Sequence, residues 1–270
     1  MLIYDYILYN GEPIIEFRLK YLNNYVDKFI IVESIYTFSG NKKYAFYFDI
    51  NRDLFKEYEN KIMFYPINFL PNDEEIAHIY KNNVLPENKL SWVYETYHRD
   101  YIQMELNKIK TPFIVFVCDV DEIPRRDLYI NIKNDYDKLN DGIHIEMMFF
   151  NYGFKWMKNN KWRHPFVINN NGCSKLSFNN VRLSHKYSYY NNAGWHFSYC
   201  FNIDDIVRKL ESFAHTEYNT DKYKNKDYIL KCINEGKSIF DEEQYYEANE
   251  NLLPDGYKDF QDKILILKND

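Results

Sequence analysis

The sequence predicts an α/β domain built on a largely parallel sheet. Three observations carry that reading. Two apolar runs, Phe29-Ile30-Ile31-Val32 and Phe113-Ile114-Val115-Phe116-Val117-Cys118, show no alternation with polar residues, as expected of strands covered on both faces. Segments with helical periodicity lie between the strand-like runs, the order that a parallel sheet needs. The second run ends in Asp119-Val120-Asp121-Glu122-Ile123-Pro124. Such sheets bind ligands beyond the carboxyl ends of their strands, which is where this acidic cluster falls.

Taken in order, Ile3 to Tyr9 reads as the first strand, and Asn10-Gly11 as the turn after it. Glu12 to Leu22 places Ile14, Ile15, Leu19 and Leu22 near helical spacing, with Pro13 acceptable in a first turn. Lys28 to Glu33 is the second strand and Ile62 to Ile67 the third. Glu95 to Ile109 is a helix, followed by the strand Phe113 to Cys118. Beyond it, Gly142 to Phe154 reads as a long strand or hairpin arm. Residues 155–194 are rich in Asn, Lys, Tyr and Trp, with turn signals at Asn171-Gly172 and Asn191-Asn192. Gly194 to Phe201 is strand-like. Asp204 or Asp205 caps a helix running to about Ala214, and a last helix lies near Lys226 to Gly236. No repeat or Pro/Gly/Ser linker interrupts the chain. It reads as one domain, residues 1–270, with a nucleotide-binding half at 1–124 and an acceptor-binding half at 125–270.

Composition narrows the function. The formal net charge is -6 and no long basic run appears, which argues against nucleic acid as a partner. The 27 Tyr and 20 Phe, with abundant Lys, Asn and Ile, read first as biased coding, although carbohydrate sites also use aromatic faces. Cys118, Cys173, Cys200 and Cys232 are far apart, so neither a zinc site nor a disulfide framework is indicated. No stretch is long and apolar enough to span a membrane. The expectation is a soluble, cytoplasmic protein, unless an anchor has been removed from a longer natural chain.

Asp119 and Asp121 form the strongest local feature. One-residue spacing in a loop can turn both carboxylates toward one hard cation, Mn²⁺ or Mg²⁺, that also takes phosphate oxygens. A solvated acidic turn is the alternative. His196, amid Trp195 and Phe197, is either a further metal ligand or a satisfied core histidine, with His215 as its competitor. Arg99 could reach a phosphate, and Asp100 a ribose or sugar hydroxyl; a surface ion pair is the plain alternative. Glu33, at the end of the second strand, either hydrogen-bonds a nucleotide's base or ribose, or caps the following turn. For a general base, Glu146 is the only acidic residue between Gly142 and Ile203, and beyond lie Asp204, Asp205, Glu211 and Glu217. Glu217 follows a helix and is placed to enter a cleft.

Several segments, in order, resemble glycosyltransferase family 17, the family of the enzyme that adds bisecting N-acetylglucosamine to N-glycans. They are Tyr4 to Glu12, Phe29 to Ser34 with Thr37-Phe38-Ser39-Gly40, Arg99-Asp100, Asp119 to Pro124, Tyr152-Gly153-Phe154, Gly194 to Phe201 and Lys209 to His215. The resemblance implies a GT-A type fold, a Rossmann-like mixed sheet flanked by helices and merged with an acceptor-binding part. It implies a nucleotide-sugar donor, UDP-N-acetylglucosamine, a glycan acceptor, and inversion at the anomeric carbon. It implies Asp119 and Asp121 at a Mn²⁺ or Mg²⁺ site, and it favours Glu217 over Glu146 as base. On this reading Trp195 stacks on a sugar face or is simply buried. The sequence shows no membrane anchor of the kind expected of the animal enzyme, and its second half is short and Asn/Tyr-rich; a soluble microbial or viral enzyme acting on another glycan is as much the expectation as the animal reaction. Two rivals come from other classes. A nucleotidyltransferase would carry a Gly-rich or basic phosphate loop near the first strand, where none is seen. A non-catalytic carbohydrate-binding protein leaves the acidic cluster without a role.

Overall fold

A computed structural model of the chain describes residues 1–184 and 188–264, with side chains described through Gln261. Among the described residues, ten strands from both halves of the chain form one mixed sheet. They are β1 (Leu2–Leu8), β2 (Lys28–Ser34), β3 (Ile62–Ile67), β4 (Phe113–Asp119), β5 (Glu122–Pro124), β6 (Ile143–Asn151), β7 (Trp156–Trp162), β8 (Phe166–Asn169), β9 (Tyr189–Ser198) and β10 (Tyr246–Glu247). The path across the sheet is β10-β7-β6-β8-β4-β1-β2-β3, while β9 pairs with β5 and β6.

Parallel pairing dominates the first half and recurs in the second, where β6 pairs in parallel with β9. In the first half β1 pairs in parallel with β2 and β4, and β2 with β3. Beyond β4 the pairing turns antiparallel through β8, so the sheet is mixed rather than largely parallel. The apolar runs behave as their patterns demand. In β2 and β4, Phe29, Ile31, Ile114, Phe116 and Cys118 join one core cluster, and Ile30, Val32, Val115 and Val117 join the opposite one. Period-2 geometry sends alternate side chains to opposite faces, and both faces are covered. A third cluster gathers Ile206, Leu210, Ile229 and Ile233 beneath Tyr152 and Tyr199.

Local departures from the sequence pattern have identifiable causes. The helix foreseen from Glu95 begins earlier, at Leu90, because Trp92, Val93 and Thr96 already bury one face. It ends at Asp100, and Gln103–Leu106 forms a separate short turn of helix. Asn191-Asn192 is not a chain reversal. Asn192 sits inside β9 with φ 49°, and the β6–β9 register shifts between Ile145 and Met147, the signature of a bulge. Asn169 caps a short helical turn where Asn171-Gly172 suggested a loop. All four cysteines are buried free thiols.

The strand order places the site. From β1 the chain winds outward to β2 and β3, and then returns to the other side of β1 with β4. The direction of winding reverses there, which opens a crevice at the carboxyl ends. In register, Leu8 lies opposite Asp119 at that edge.

Candidate active site

The acidic turn between β4 and β5 is anchored from below by a buried arginine. The helix Ile15–Leu22 packs Arg18 against β1, where its guanidinium forks onto both oxygens of Asp5 at 2.8 and 2.7 Å. The remaining nitrogen, Nη1, donates to the carbonyls of Asp119 at 2.8 Å, Val120 at 3.3 Å and Glu122 at 2.7 Å. Buried carbonyls need donors, and one side chain satisfies all three. The turn is held on its other edge by β9. Glu122 pairs with His196 across the β5–β9 ladder, and Phe197 donates its N–H to the Asp121 carbonyl at 2.8 Å. Gly194 permits this close pairing, because a Cβ there would sit 2.7 Å from the Ile123 carbonyl.

The carboxylates of the turn are not equivalent. Asp119 is clamped by Arg99 at 2.6 Å and Arg182 at 2.7 Å, one arginine on each oxygen. Burial disfavours its charge, but the two guanidiniums outweigh that and hold its pKa down at about 2. Arg182 also forks onto Glu122, which accepts from Trp162 Nε1 and from the Asp119 N–H as well. Asp121 instead lies 3.6 Å from His196 Nε2 and 3.3 Å from Lys209 Nζ. Burial opposes its ionisation too, yet Lys209 and His196 keep its pKa well below the usual carboxylate range. His196 packs against Trp162 and Phe149, with ring centroids at 4.3 and 4.6 Å, and those two rings also meet each other at 5.1 Å.

These groups line a cavity of about 520 Å³ that runs along the ends of β1, β2 and β4. Leu8, Val32, Ser34, Phe38, Trp92 and His98 line it, together with Asp119, Asp121, Phe149, Trp162, Arg182, His196 and Lys209. Trp92 Nε1, His98 Nε2 and His196 Nδ1 are buried ring nitrogens without a hydrogen-bond partner among the described residues. Unpaired buried polar atoms are rare in folded proteins, and a cluster of them around one cavity is what a ligand or water site leaves behind. Burial, with Lys43 and Arg99 nearby, lowers the His98 pKa to about 3, so its imidazole is neutral.

The structure brings Asp119, Asp121, His196 and Arg99 together, Arg99 by contact with Asp119. It sets the other sequence candidates elsewhere. Glu33 caps the short helix Tyr47–Ile50, accepting from the N–H groups of Tyr47 and Phe48 and from Lys43 Nζ. Asp100 is tied to Ser177 Oγ and the Asn179 N–H. Trp195 is buried, with Nε1 donating to the Leu252 carbonyl and the Arg125 guanidinium over its ring. Trp162, not Trp195, carries its ring to the cavity. Glu217 lies just outside the lining, between His215 and Tyr218, which belong to it. Glu146 pairs with Arg163. Arg18, Arg182 and Lys209 were missed. Their signal was indirect: three acidic residues within four positions, Asp119, Asp121 and Glu122, cannot be buried together without several cations.

A divalent cation at this site would draw on few protein donors. Among the described residues, no three His, Cys, Asp or Glu side chains converge as a metal cluster. Both Asp119 oxygens are occupied by arginine, whereas Asp121 and His196 face each other beside the cavity. These two suit a hard ion that takes its remaining oxygens from a diphosphate and water.

The sequence model of glycosyltransferase family 17 matches residues 2–253. The chain belongs to glycosyltransferase family 17. No curated protein matches this family 17 chain in sequence. Solved structures resemble it loosely. One described as a glucose-1-phosphate thymidylyltransferase from Bacillus anthracis in complex with a sucrose aligns over 72% of this chain and 88% of its own, at 9% identity and TM-score 0.37. Residues 1–349 of S. aureus TarS align over 87% and 71%, at 10% identity and TM-score 0.35. A mannose-6-phosphate isomerase from Helicobacter pylori aligns over 93% and 88%, at 12% identity and TM-score 0.34. The mixed sheet flanked by helices is the GT-A type architecture that the sequence foretold, and no helix among the described residues is long and apolar enough to cross a membrane.

Proposed function

We propose that this glycosyltransferase moves N-acetylglucosamine from UDP-N-acetylglucosamine to a hydroxyl of a glycan acceptor, with inversion at the anomeric carbon and with Mn²⁺ or Mg²⁺. The observation that carries the reading is the convergence of Asp121, His196 and Lys209 on one cavity at the reversal point of the sheet. The donor sugar and the inversion rest on family membership. Residues 1–124 supply most of the donor side, and residues 125–270 the acceptor side.

Asp121 and His196 would hold the cation, which when bound neutralises charge on the diphosphate as it leaves. Lys209 adds a fixed positive charge to the same region, and its neighbours Tyr199 and Phe201 keep it in place at 5.0 and 5.2 Å. Trp162, on the cavity wall and stacked on His196, offers an aromatic ring to a sugar. A second reading has its own support. Arg99 and Arg182 already occupy both Asp119 oxygens, which leaves Lys209, beside Asp121, as a cavity cation that would meet the diphosphate in place of a metal.

Calorimetry with a panel of nucleotide sugars, in Mn²⁺ and then in EDTA, on wild type and Asp121→Ala, tests both. The expected result is tight binding of one UDP-sugar that needs metal and disappears in the variant. Binding that survives EDTA supports the second reading. Binding in Mn²⁺ that is unaltered in Asp121→Ala removes Asp121 from the cation site. A panel with no binding at all defeats the donor assignment.

A further inference from the structure

We propose that His215 is the general base that takes the acceptor's proton, and that Glu217 positions it. The inference rests on the transferase reading above.

An inverting displacement needs a proton acceptor beside the attacking hydroxyl. Three of the four carboxylates on the cavity wall are committed to ion pairs. Glu95 pairs with Arg99 at 2.9 Å, Asp119 with two arginines, and Asp121 with Lys209 and His196. Glu12 is raised by burial, but Lys209 works against that shift and the Asn10 N–H occupies its Oε2 at 2.7 Å. Among the cavity's imidazoles, burial lowers His98 to about 3 and His164 to about 4, so neither holds a proton near neutrality. His196 packs against Trp162 and Phe149 beside Asp121.

His215 differs from all of these. Its side chain is 48% exposed, and it lines the cavity. Its Nδ1 lies 2.8 Å from Glu217 Oε1. A carboxylate only accepts, so Nδ1 carries the hydrogen, and Nε2 is left with the lone pair a base requires. Lys89 Nζ steadies Glu217 at 3.5 Å. Trp92 meets the imidazole edge to face at 4.7 Å, Phe213 lies at 5.6 Å, and the Ser91 hydroxyl holds the Ala214 carbonyl at 2.8 Å. An imidazole oriented by a carboxylate and packed between aromatics is how a catalytic base is held in one tautomer and one direction.

In the step, the acceptor oxygen forms a bond to the anomeric carbon as the bond from that carbon to the diphosphate oxygen breaks. The electron pair leaves with UDP, and the acceptor's proton passes to His215 Nε2. Glu217 then faces an imidazolium, which it stabilises.

The test compares wild type, His215→Gln, Glu217→Gln and Glu12→Gln. Transfer from UDP-N-acetylglucosamine to a glycan panel is measured across pH 5 to 9, with donor Kd from calorimetry. Charged and titratable groups facing the imidazole are Glu217 and Tyr218 on its own turn, and Lys89 from the helix start behind Glu217. His215→Gln is expected to lower kcat by about 10²–10⁴-fold with donor Kd unchanged, and to erase the acidic limb of the rate profile. Glu217→Gln is expected to lower kcat less than His215→Gln, with acceptor KM and donor Kd unchanged, as for a residue that acts through the imidazole. Wild-type rates in His215→Gln overturn the assignment, as does a full loss in Glu12→Gln alone. A loss in Glu217→Gln equal to or greater than that in His215→Gln transfers the base role to Glu217 and also overturns it. Absent donor binding in wild type defeats the transferase reading itself, a result separable from all of these.

Discussion

Replacing Arg182 by Met removes the cation that joins Asp119 to Glu122. Its Nη1 and Nη2 make three contacts to these two carboxylates, at 2.9, 2.7 and 2.7 Å, and its side chain is 7% exposed. Stripping one partner from a buried charge pair costs about 3–5 kcal/mol, because the remaining charge stays buried. In a chain of this size each kcal/mol moves Tm by about 2–4 °C, so the expected drop is about 6–20 °C at pH 7. The loss has a pH signature. Asp119 titrates at about 2 in the fold, against an ordinary aspartate near 3.9. A depressed carboxylate contributes stability that is complete above the ordinary value and lost as pH falls toward the folded one. The gap between wild type and variant should therefore be full at pH 7 and shrink between about pH 4 and pH 2. Arg182→Lys should fall between the two, since an ammonium cannot fork across both carboxylates. Thermal unfolding followed by circular dichroism across pH measures all of this. A Tm for Arg182→Met within 2 °C of wild type at pH 7, about 1 kcal/mol or less, would refute the reasoning.

Two further outcomes follow from the same geometry. Lys209→Met removes a charge that faces the cavity beside Asp121, and should weaken UDP binding by about 10–100-fold at low salt, the value of one charge-assisted hydrogen bond; equal affinities by calorimetry would show that Lys209 does not touch the diphosphate. Gly194→Ala places a methyl 2.7 Å from the Ile123 carbonyl and 2.9 Å from Met147 Cε, so it should cost about 1–3 kcal/mol in urea unfolding; an unchanged midpoint would mean that β5 and β9 tolerate separation there.

Much of this site could be read from the chain, and the reason is periodicity. Phe29 to Val32 and Phe113 to Cys118 announced strands buried on two faces, and a carboxylate pair directly after the second could only stand at a sheet edge. Asp121 stands at that edge, and His196, which the sequence left open between metal ligand and core histidine, lies 3.6 Å from it. What the sequence hid was charge compensation. Arg18 and Arg182 look like any surface arginine, because the residue that buries a cation lies far off in sequence: Asp5 lies 13 positions from Arg18, and Asp119 lies 63 from Arg182. Glu33, Asp100 and Trp195 were read as ligand contacts or plain structural residues, and their hydrogen bonds run to the protein. A single carboxylate at a strand end satisfies a helix start as readily as a ribose, and spacing does not separate the two. The bulge at Asn192 was hidden because Asn favours both turns and left-handed backbone.

Arg18 gives the acidic turn an unusual dependence on the beginning of the chain. Three carbonyls of the turn are closed by a side chain from the first helix rather than by neighbours in sequence or by solvent. In the folded protein the shape of the turn is therefore tied to the Ile15–Leu22 helix, whose guanidinium must stay in place for those carbonyls to be satisfied. A change that loosens that helix, even at Phe17 or Tyr21 on its packed face, would reach the aspartates through Arg18.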